Sequence, residues 1–145
     1  MKIANREIGM GHAPFIIAEM SGNHNQSLER ALEIVEAAAQ TGAHAIKLQT
    51  YTPDTMTLDL DEREFHIGDS DSLWTGNSLY KIYGEAYTPW EWHKPIFERA
   101  HELGIVPFST PFDDTSVEFL EGLGVPCYKI ASFENTDLPL IRRVA

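Results

Sequence analysis

Two lysines lie inside apolar runs of this chain. Lys129 sits in Val125-Pro126-Cys127-Tyr128-Lys129-Ile130-Ala131-Ser132-Phe133-Glu134-Asn135, and Lys47 in Ala45-Ile46-Lys47-Leu48-Gln49-Thr50. A lysine in a buried strand is rarely tolerated without an anionic partner. The period of two in a strand puts Lys47 and Gln49 on one face. Two hydroxyls, Thr110 and Ser132, and two carboxylates, Glu19 and Glu134, fall at or just beyond the ends of strand-like runs. Two cations with two hydroxyls suit a small, multiply charged anion such as a phosphorylated carboxylic acid, because several charge-assisted bonds compensate its desolvation. The carboxylates beside them could handle protons. The plainer alternative is structural: Lys47 paired with Glu19 and Lys129 with Glu134, filling an interior.

The elements that must hold these groups repeat one pattern. Phe15 to Met20 reads as a strand that runs into the polar loop Ser21-Gly22-Asn23-His24-Asn25. Ser27 is placed to cap a helix in which Leu28, Ala31, Leu32, Val35, Ala38 and Ala39 follow helical spacing, and Gly42 closes it. A second strand begins at Ala43 or Ala45. Thr50 to Tyr87 is a long stretch without sustained periodicity, and compact domains seldom keep such a connection without a use for it. Thr88 and Glu91 have the spacing of a capping box, with Pro89 at the first helical position; the helix should run to Leu103, with a kink or break at Pro95. Ile105 to Thr110 is a third strand, and Asp113 or Asp114 opens a helix carrying Val117, Leu120 and Leu123. Val125 begins a fourth strand, and Asp137-Leu138-Pro139 opens a fourth helix. Ahead of all this, Lys2 to Pro14 predicts a small β-hairpin, with Gly9 to Gly11 supplying turn residues.

Gly42, Gly104 and Gly124 each end a helix and lead into a strand, which makes a repeating β/α unit with parallel strands and right-handed crossovers. The expected fold is α/β: about four strand–helix units, the N-terminal half of a parallel β/α (TIM-type) barrel, with an open parallel sheet also compatible with the pattern. An open half leaves two unprotected edges. The 145 residues are therefore expected to be a piece of a longer protein and, made alone, to associate through those edges. In β/α folds the functional groups gather past the carboxyl ends of the strands. Glu19, Lys47, Gln49, Thr110, Lys129, Ser132 and Glu134 all fall there, and the 50–87 connection leaves from the same side.

Composition narrows the partners. A chain that is 43% hydrophobic and 23% charged is ordinary for a globular domain. Its formal net charge of -11 argues against nucleic acid or an anionic membrane, both of which call for a basic surface. No run is apolar enough to span a bilayer, and Met1 to Gly11 lacks the apolar centre of a signal peptide, so the cytoplasm is the expected compartment. Cys127 is the only cysteine, which excludes an intrachain disulfide and reads as a small apolar residue in a strand. His24 is either a loop histidine bonded to its neighbours or a residue near substrate. His12, His44, His66, His93 and His101 show no ligand-like pairing, so no metal site is expected within these residues. Trp90 and Trp92 read as packing, and Asp59-Leu60-Asp61-Glu62 as solvated surface.

Four motifs in order carry a family resemblance. Ile17-Ala18-Glu19-Met20-Ser21-Gly22-Asn23-His24-Asn25, Lys47-Leu48-Gln49-Thr50, Ser109-Thr110-Pro111-Phe112 and Tyr128-Lys129-Ile130-Ala131-Ser132-Phe133-Glu134 resemble the sialic acid synthase family, whose enzymes condense phosphoenolpyruvate with an acetylated amino sugar. Met20-Ser21, where sialic acid synthases usually carry Ala-Gly, the Leu73-Trp74 to Leu79-Tyr80 segment and Tyr87 to His93 are most similar to its pseudaminic acid branch. The resemblance implies that residues 1–145 are the N-terminal part of a synthase barrel, with the second half and a small antifreeze-like domain beyond them, and that the complete enzyme is a homodimer. It implies that Lys47, Thr110, Lys129 and Ser132 hold phosphoenolpyruvate, that Gln49, Glu134 and the loop residue Asn77 face the sugar, and that Glu19 handles a proton. It also implies a divalent metal ion, Mn or Mg, held by two histidines outside these residues. The implied reaction joins the enolpyruvate methylene carbon to the metal-polarised aldehyde of the open-chain sugar. Water enters at the adjacent carbon, and phosphate leaves by carbon–oxygen cleavage.

Two competing readings come from the residues alone. One is a Schiff-base aldolase with Lys47 or Lys129 as the nucleophile, activated by burial and a neighbouring cation. The other is a non-catalytic half-barrel that serves as an assembly module.

Overall fold

The computed structural model describes residues 1–145. A small hairpin comes first: β1 (Lys2–Ile3) pairs antiparallel with β2 (Arg6–Glu7). The turn falls at Ala4-Asn5 and not at Gly9–Gly11. Ala4 takes φ 48°, the positive φ that a two-residue hairpin loop demands of its first central position.

The body is a parallel sheet in the order β3 (Ile17–Glu19), β4 (Ala45–Thr50), β5 (Val106–Pro111). The first and second strands are joined by α1 (Leu28–Gln40), which starts where the Ser27 hydroxyl accepts the Arg30 N–H at 3.2 Å. Ala31, Val35 and Ala38 form its buried face, as their spacing requires. Gly42, Gly104 and Gly124 follow their helices with φ of 82°, 75° and 71°, the left-handed conformation that ends a helix without a Cβ clash. Asp113 caps α5 (Asp114–Gly122) through the N–H groups of Thr115 and Ser116, and Asp137 caps α6 (Leu138–Val144). Ile46 and Leu48 on the outer face of β4 meet Val35, Ile96, Phe97, Ala100 and Leu120 in one core, and Arg99 of α4 (Trp90–Glu102) ties that helix to Glu36 of α1 at 2.7 Å.

Four expectations need correction. Residues 125–131 do not form a fourth strand. They touch the sheet only through a bridge between Ser109 and Tyr128, where the Lys129 N–H meets the Ser109 carbonyl at 3.2 Å. Pro126 has no N–H to give to a ladder, and β5 is the only neighbour to pair with. The capping box at Thr88 is also absent. Pro89 takes the cap position and the Thr88 hydroxyl is drawn instead to the His24 ring, 3.2 Å away. Pro95 does not break α4, which runs through it because His93, Ile96, Phe97 and Ala100 bury a continuous face on both sides of it. The 50–87 connection is not irregular throughout: it holds α2 (Pro53–Met56), a 3₁₀ turn at Arg63–Phe65 and α3 (Leu79–Ala86). Tyr83 of α3 stacks edge-on against Tyr51, part of a second cluster with Phe112 and Ala131. The architecture is thus an α/β arrangement built on three regular parallel strands.

Candidate functional site

Strand register decides what shares a face. Glu19 is opposite Lys47, and Gln49 opposite Thr110, in a parallel ladder where partners point the same way. Glu19, Lys47, Gln49 and Thr110 therefore occupy one face in two tiers, while Ile46, Leu48 and Thr50 point to the helices. Lys47 is buried, 7% exposed at its side chain, and its Nζ lies 3.4 Å from Glu19 Oε2, whose own side chain is 64% exposed. The structural pair named above therefore forms between Lys47 and Glu19. The Ser21 hydroxyl contacts Gln49 Oε1 at 3.5 Å.

Thr110 and Glu134 stand apart chemically. Their Oγ1 and Oε2 are buried side-chain polar atoms with no hydrogen-bond partner. Such atoms are uncommon in folded proteins and call for an explanation. Burial pushes the Glu134 carboxyl above its ordinary range. Its own backbone N–H and the Lys129 charge pull it back, and Asp137 adds to the rise.

Lys129 is exposed and makes no ion pair. Two expectations fail here: it is neither a buried strand lysine nor the ion-pair partner of Glu134. Without a strand around it, its ammonium keeps its water, and only its field reaches Glu134. Ser132 is likewise exposed, immediately before the 3₁₀ turn Phe133–Thr136 that carries Glu134. Asn77 lies away from these groups. It accepts from Lys81 at 3.4 Å and lines a separate hollow with Asp59, Asp61 and His66.

The chain matches the NeuB family model over residues 34–145. The chain belongs to the NeuB family. It is 50% identical over 131 residues to the pseudaminic acid synthase of Campylobacter jejuni subsp. jejuni serotype O:2, covering 90% of this chain and 38% of that protein. It is 48% identical over 132 residues to that of Helicobacter pylori, with 91% and 38% covered. Among solved structures, it superposes on the N-acetylneuraminic acid synthetase of Leptospira borgpetersenii serovar Hardjo-bovis, solved in complex with citrate, with a TM-score of 0.80 at 27% identity, covering 99% of this chain and 45% of that one. The spore coat polysaccharide biosynthesis protein SpsE of Bacillus subtilis gives 0.74 at 31% identity, covering 99% and 36%. The chain thus spans about 38% of the length of the curated relatives it matches.

In this NeuB-family chain the histidines divide by surroundings. The His24 ring is fully buried: Gln26 N–H donates to its Nδ1 at 3.2 Å, so Nε2 carries the proton and donates to Thr88 Oγ1. Burial lowers its pKa. Of the two roles left open for His24, the structure favours the loop histidine held by its neighbours. His93 is part of a network that sequence reading missed. Its Nδ1 faces the Pro89 carbonyl at 3.3 Å and must be the donor, so Nε2 accepts from Thr50 Oγ1 at 2.8 Å. Thr50 then receives the Ser109 hydroxyl proton at 2.6 Å. Thr50, His93 and Ser109 are all 0% exposed. Burial outweighs the nearby backbone acceptors and Glu91, and pushes the His93 pKa down to about 4. The available signal was parity: Thr50 and Ser109 are polar residues on the helix-facing side of their strands, where each needs a partner.

No group of three or more His, Cys, Asp or Glu side chains converges here to hold a metal ion.

Proposed function

We propose that this chain forms the N-terminal half of a closed eight-stranded β/α barrel in a synthase that condenses phosphoenolpyruvate with an acetylated amino sugar, giving a nonulosonic acid and phosphate. Pseudaminic acid is the product favoured by the higher identity to pseudaminic acid synthases, 50% against 36% for the N,N'-diacetyllegionaminic acid synthase of Legionella pneumophila. One observation carries the reading: a single sheet face holds Glu19, Lys47, Gln49 and Thr110 in register, and the buried Thr110 hydroxyl among them lacks a partner.

Lys47 and Lys129 hold the phosphate and carboxylate charges of phosphoenolpyruvate, the Thr110 and Ser132 hydroxyls donate to its oxygens, and binding satisfies Thr110 Oγ1. The Glu19 carboxylate, mostly in solvent, is the partner that Lys47 exchanges for the substrate anion, and it is free to accept a proton afterwards. Gln49 faces the sugar. Glu134, held toward its protonated form by burial, presents a proton to the sugar carbonyl oxygen as the methylene carbon attacks. The new carbon–carbon bond leaves a cationic centre at the enol carbon. Water adds there, and the bond from that carbon to the bridging oxygen breaks, releasing phosphate. Asn77 joins the sugar site when the 50–87 connection closes over it.

The divalent metal ion takes its ligands outside residues 1–145. The complete enzyme is proposed to be a homodimer of the cytoplasm; no helix here is long and apolar enough to cross a membrane. The Lys47–Glu19 salt bridge, which favours the charged ammonium, supports an anion-holding lysine over a Schiff-base nucleophile. The test uses the full-length protein with metal, phosphoenolpyruvate and a diacetamido sugar. Phosphate release that requires the sugar supports the synthase, and borohydride trapping of a keto acid on either lysine would replace it with the aldolase.

A further inference from the structure

A second hollow adjoins the lysine-bearing face. It is an open hollow of about 560 Å³ between the 21–26 loop, Trp74 and the C-terminal end of α3, within the roughly 300–1,000 Å³ typical of small-molecule pockets. Ser21 stands at its boundary and reaches Gln49 at 3.5 Å, so the hollow continues from the tier assigned to the sugar.

The 21–26 side of the hollow is held against α3. Ser21, Asn25 and Gln26 adopt φ of 51°, 47° and 55°, a left-handed backbone that non-glycine residues hold only when their surroundings impose it. Gln26 Nε2 ties the loop to the end of α3 by donating to the carbonyls of Tyr87 at 2.7 Å and Glu85 at 3.0 Å. Gly22 lets the loop approach α3: a Cβ there would stand 3.1 Å from the Ala86 carbonyl oxygen.

The lining is amide-rich and carries no cation. The side chain of Asn25 has no partner, Asn23 uses only its NH₂ group, toward the Met20 carbonyl, and Gln26 uses only its own NH₂ group. Trp74 offers an indole that is 46% exposed. No lysine or arginine lines the hollow, and its one charge is Glu85. An anion would find no counter-charge here. Primary amides paired with an aromatic face suit a neutral ligand bearing hydroxyl and acetamido groups, because amides satisfy both its donors and its acceptors while the ring covers its C–H surface.

We propose that this hollow receives the part of the amino sugar farthest from its reacting aldehyde, and that Trp74 and Asn25 read an acetamido substituent there. The proposal rests on the synthase reading, so its test separates the two. Full-length wild type, Trp74→Ala, Trp74→Phe and Asn25→Gly are assayed with phosphoenolpyruvate and either a mono-acetamido hexose or its diacetamido counterpart. Binding of both sugars is followed in parallel by saturation-transfer NMR. Glycine suits position 25 because it accepts the positive φ while removing the amide. Trp74→Ala and Asn25→Gly should cut the preference for the diacetamido sugar by about tenfold or more, the scale of a lost specific contact. The Michaelis constant for phosphoenolpyruvate should stay within about twofold, and Trp74→Phe should retain most of the preference. Unchanged sugar preference in folded Trp74→Ala and Asn25→Gly overturns the proposal and leaves the synthase standing. If wild type shows no turnover, transfer to the acetamido methyl that is lost in Trp74→Ala upholds the subsite while the synthase reading falls. Absence of both turnover and transfer removes both.

Discussion

Replacing Thr50 by Val is the sharpest probe of how the strand ends are held. The substitution keeps the shape and the β-branch of the side chain and removes one hydroxyl. That hydroxyl donates to His93 Nε2 at 2.8 Å and accepts from Ser109 at 2.6 Å, with all three residues fully buried. Thr50→Val leaves a buried ring nitrogen and a buried hydroxyl proton unpaired, each at a cost of about 1–3 kcal/mol. The added methyl offsets part of this, so the expected loss is about 3 kcal/mol. With a urea dependence of about 1–3 kcal/mol per molar, the unfolding midpoint of the full-length protein should fall by about 1–3 M. Ser109→Ala in the same background should cost less than it does in wild type, because its partner is already gone. A Thr50→Val protein within about 0.5 kcal/mol of wild type, or strict additivity of the two changes, would refute the network.

Two further outcomes follow from named groups. His93 has a folded pKa of about 4 against 6.5 when free, so the unfolded chain binds the extra proton between those values. Stability is full above about pH 6.5 and drops as the pH falls toward 4, by at most about 3 kcal/mol; in His93→Gln the slope of stability against pH over that window should flatten, and an unchanged slope would remove His93 as its source. Shortening the 50–87 connection between Asp61 and Ser72 should raise the Michaelis constant for the sugar more than that for phosphoenolpyruvate, since this loop leaves from the proposed catalytic side. Equal effects on both substrates would make it a structural connection only.

What the sequence disclosed depended on how local the deciding interaction is. Ser27, Asp113 and Asp137 cap their helices within a few residues, and Gly42, Gly104 and Gly124 end theirs through their own backbone, so α1, α5, α6 and the β/α repeat were readable in advance. The period of two correctly put Lys47 and Gln49 on one face. Failures came where a distant partner decides. Thr88 is claimed by His24 across 64 positions, and His93 by Thr50 across 43. Strand parity marks Thr50 as a polar residue in need of a partner, but nothing in local spacing names His93 or His24 as the partner. Residues 125–131 have strand composition, but a strand needs ladder partners as well, and Pro126 cannot donate to one. The α3 helix is not legible in the spacing, because its aromatic residue Tyr83 answers to a cluster around Tyr51 and not to a long amphipathic stripe.

Lysines from two separate segments are proposed to hold one anion, and phosphoenolpyruvate binding to full-length Lys129→Met tests this most directly. Lys129 is exposed and ion-pairs with nothing, so its removal should leave the fold intact and take away one charge-assisted contact. At about 1.5–3 kcal/mol for that contact, the dissociation constant measured by calorimetry should rise by roughly 10- to 150-fold. An unchanged phosphoenolpyruvate affinity in folded Lys129→Met would contradict the account.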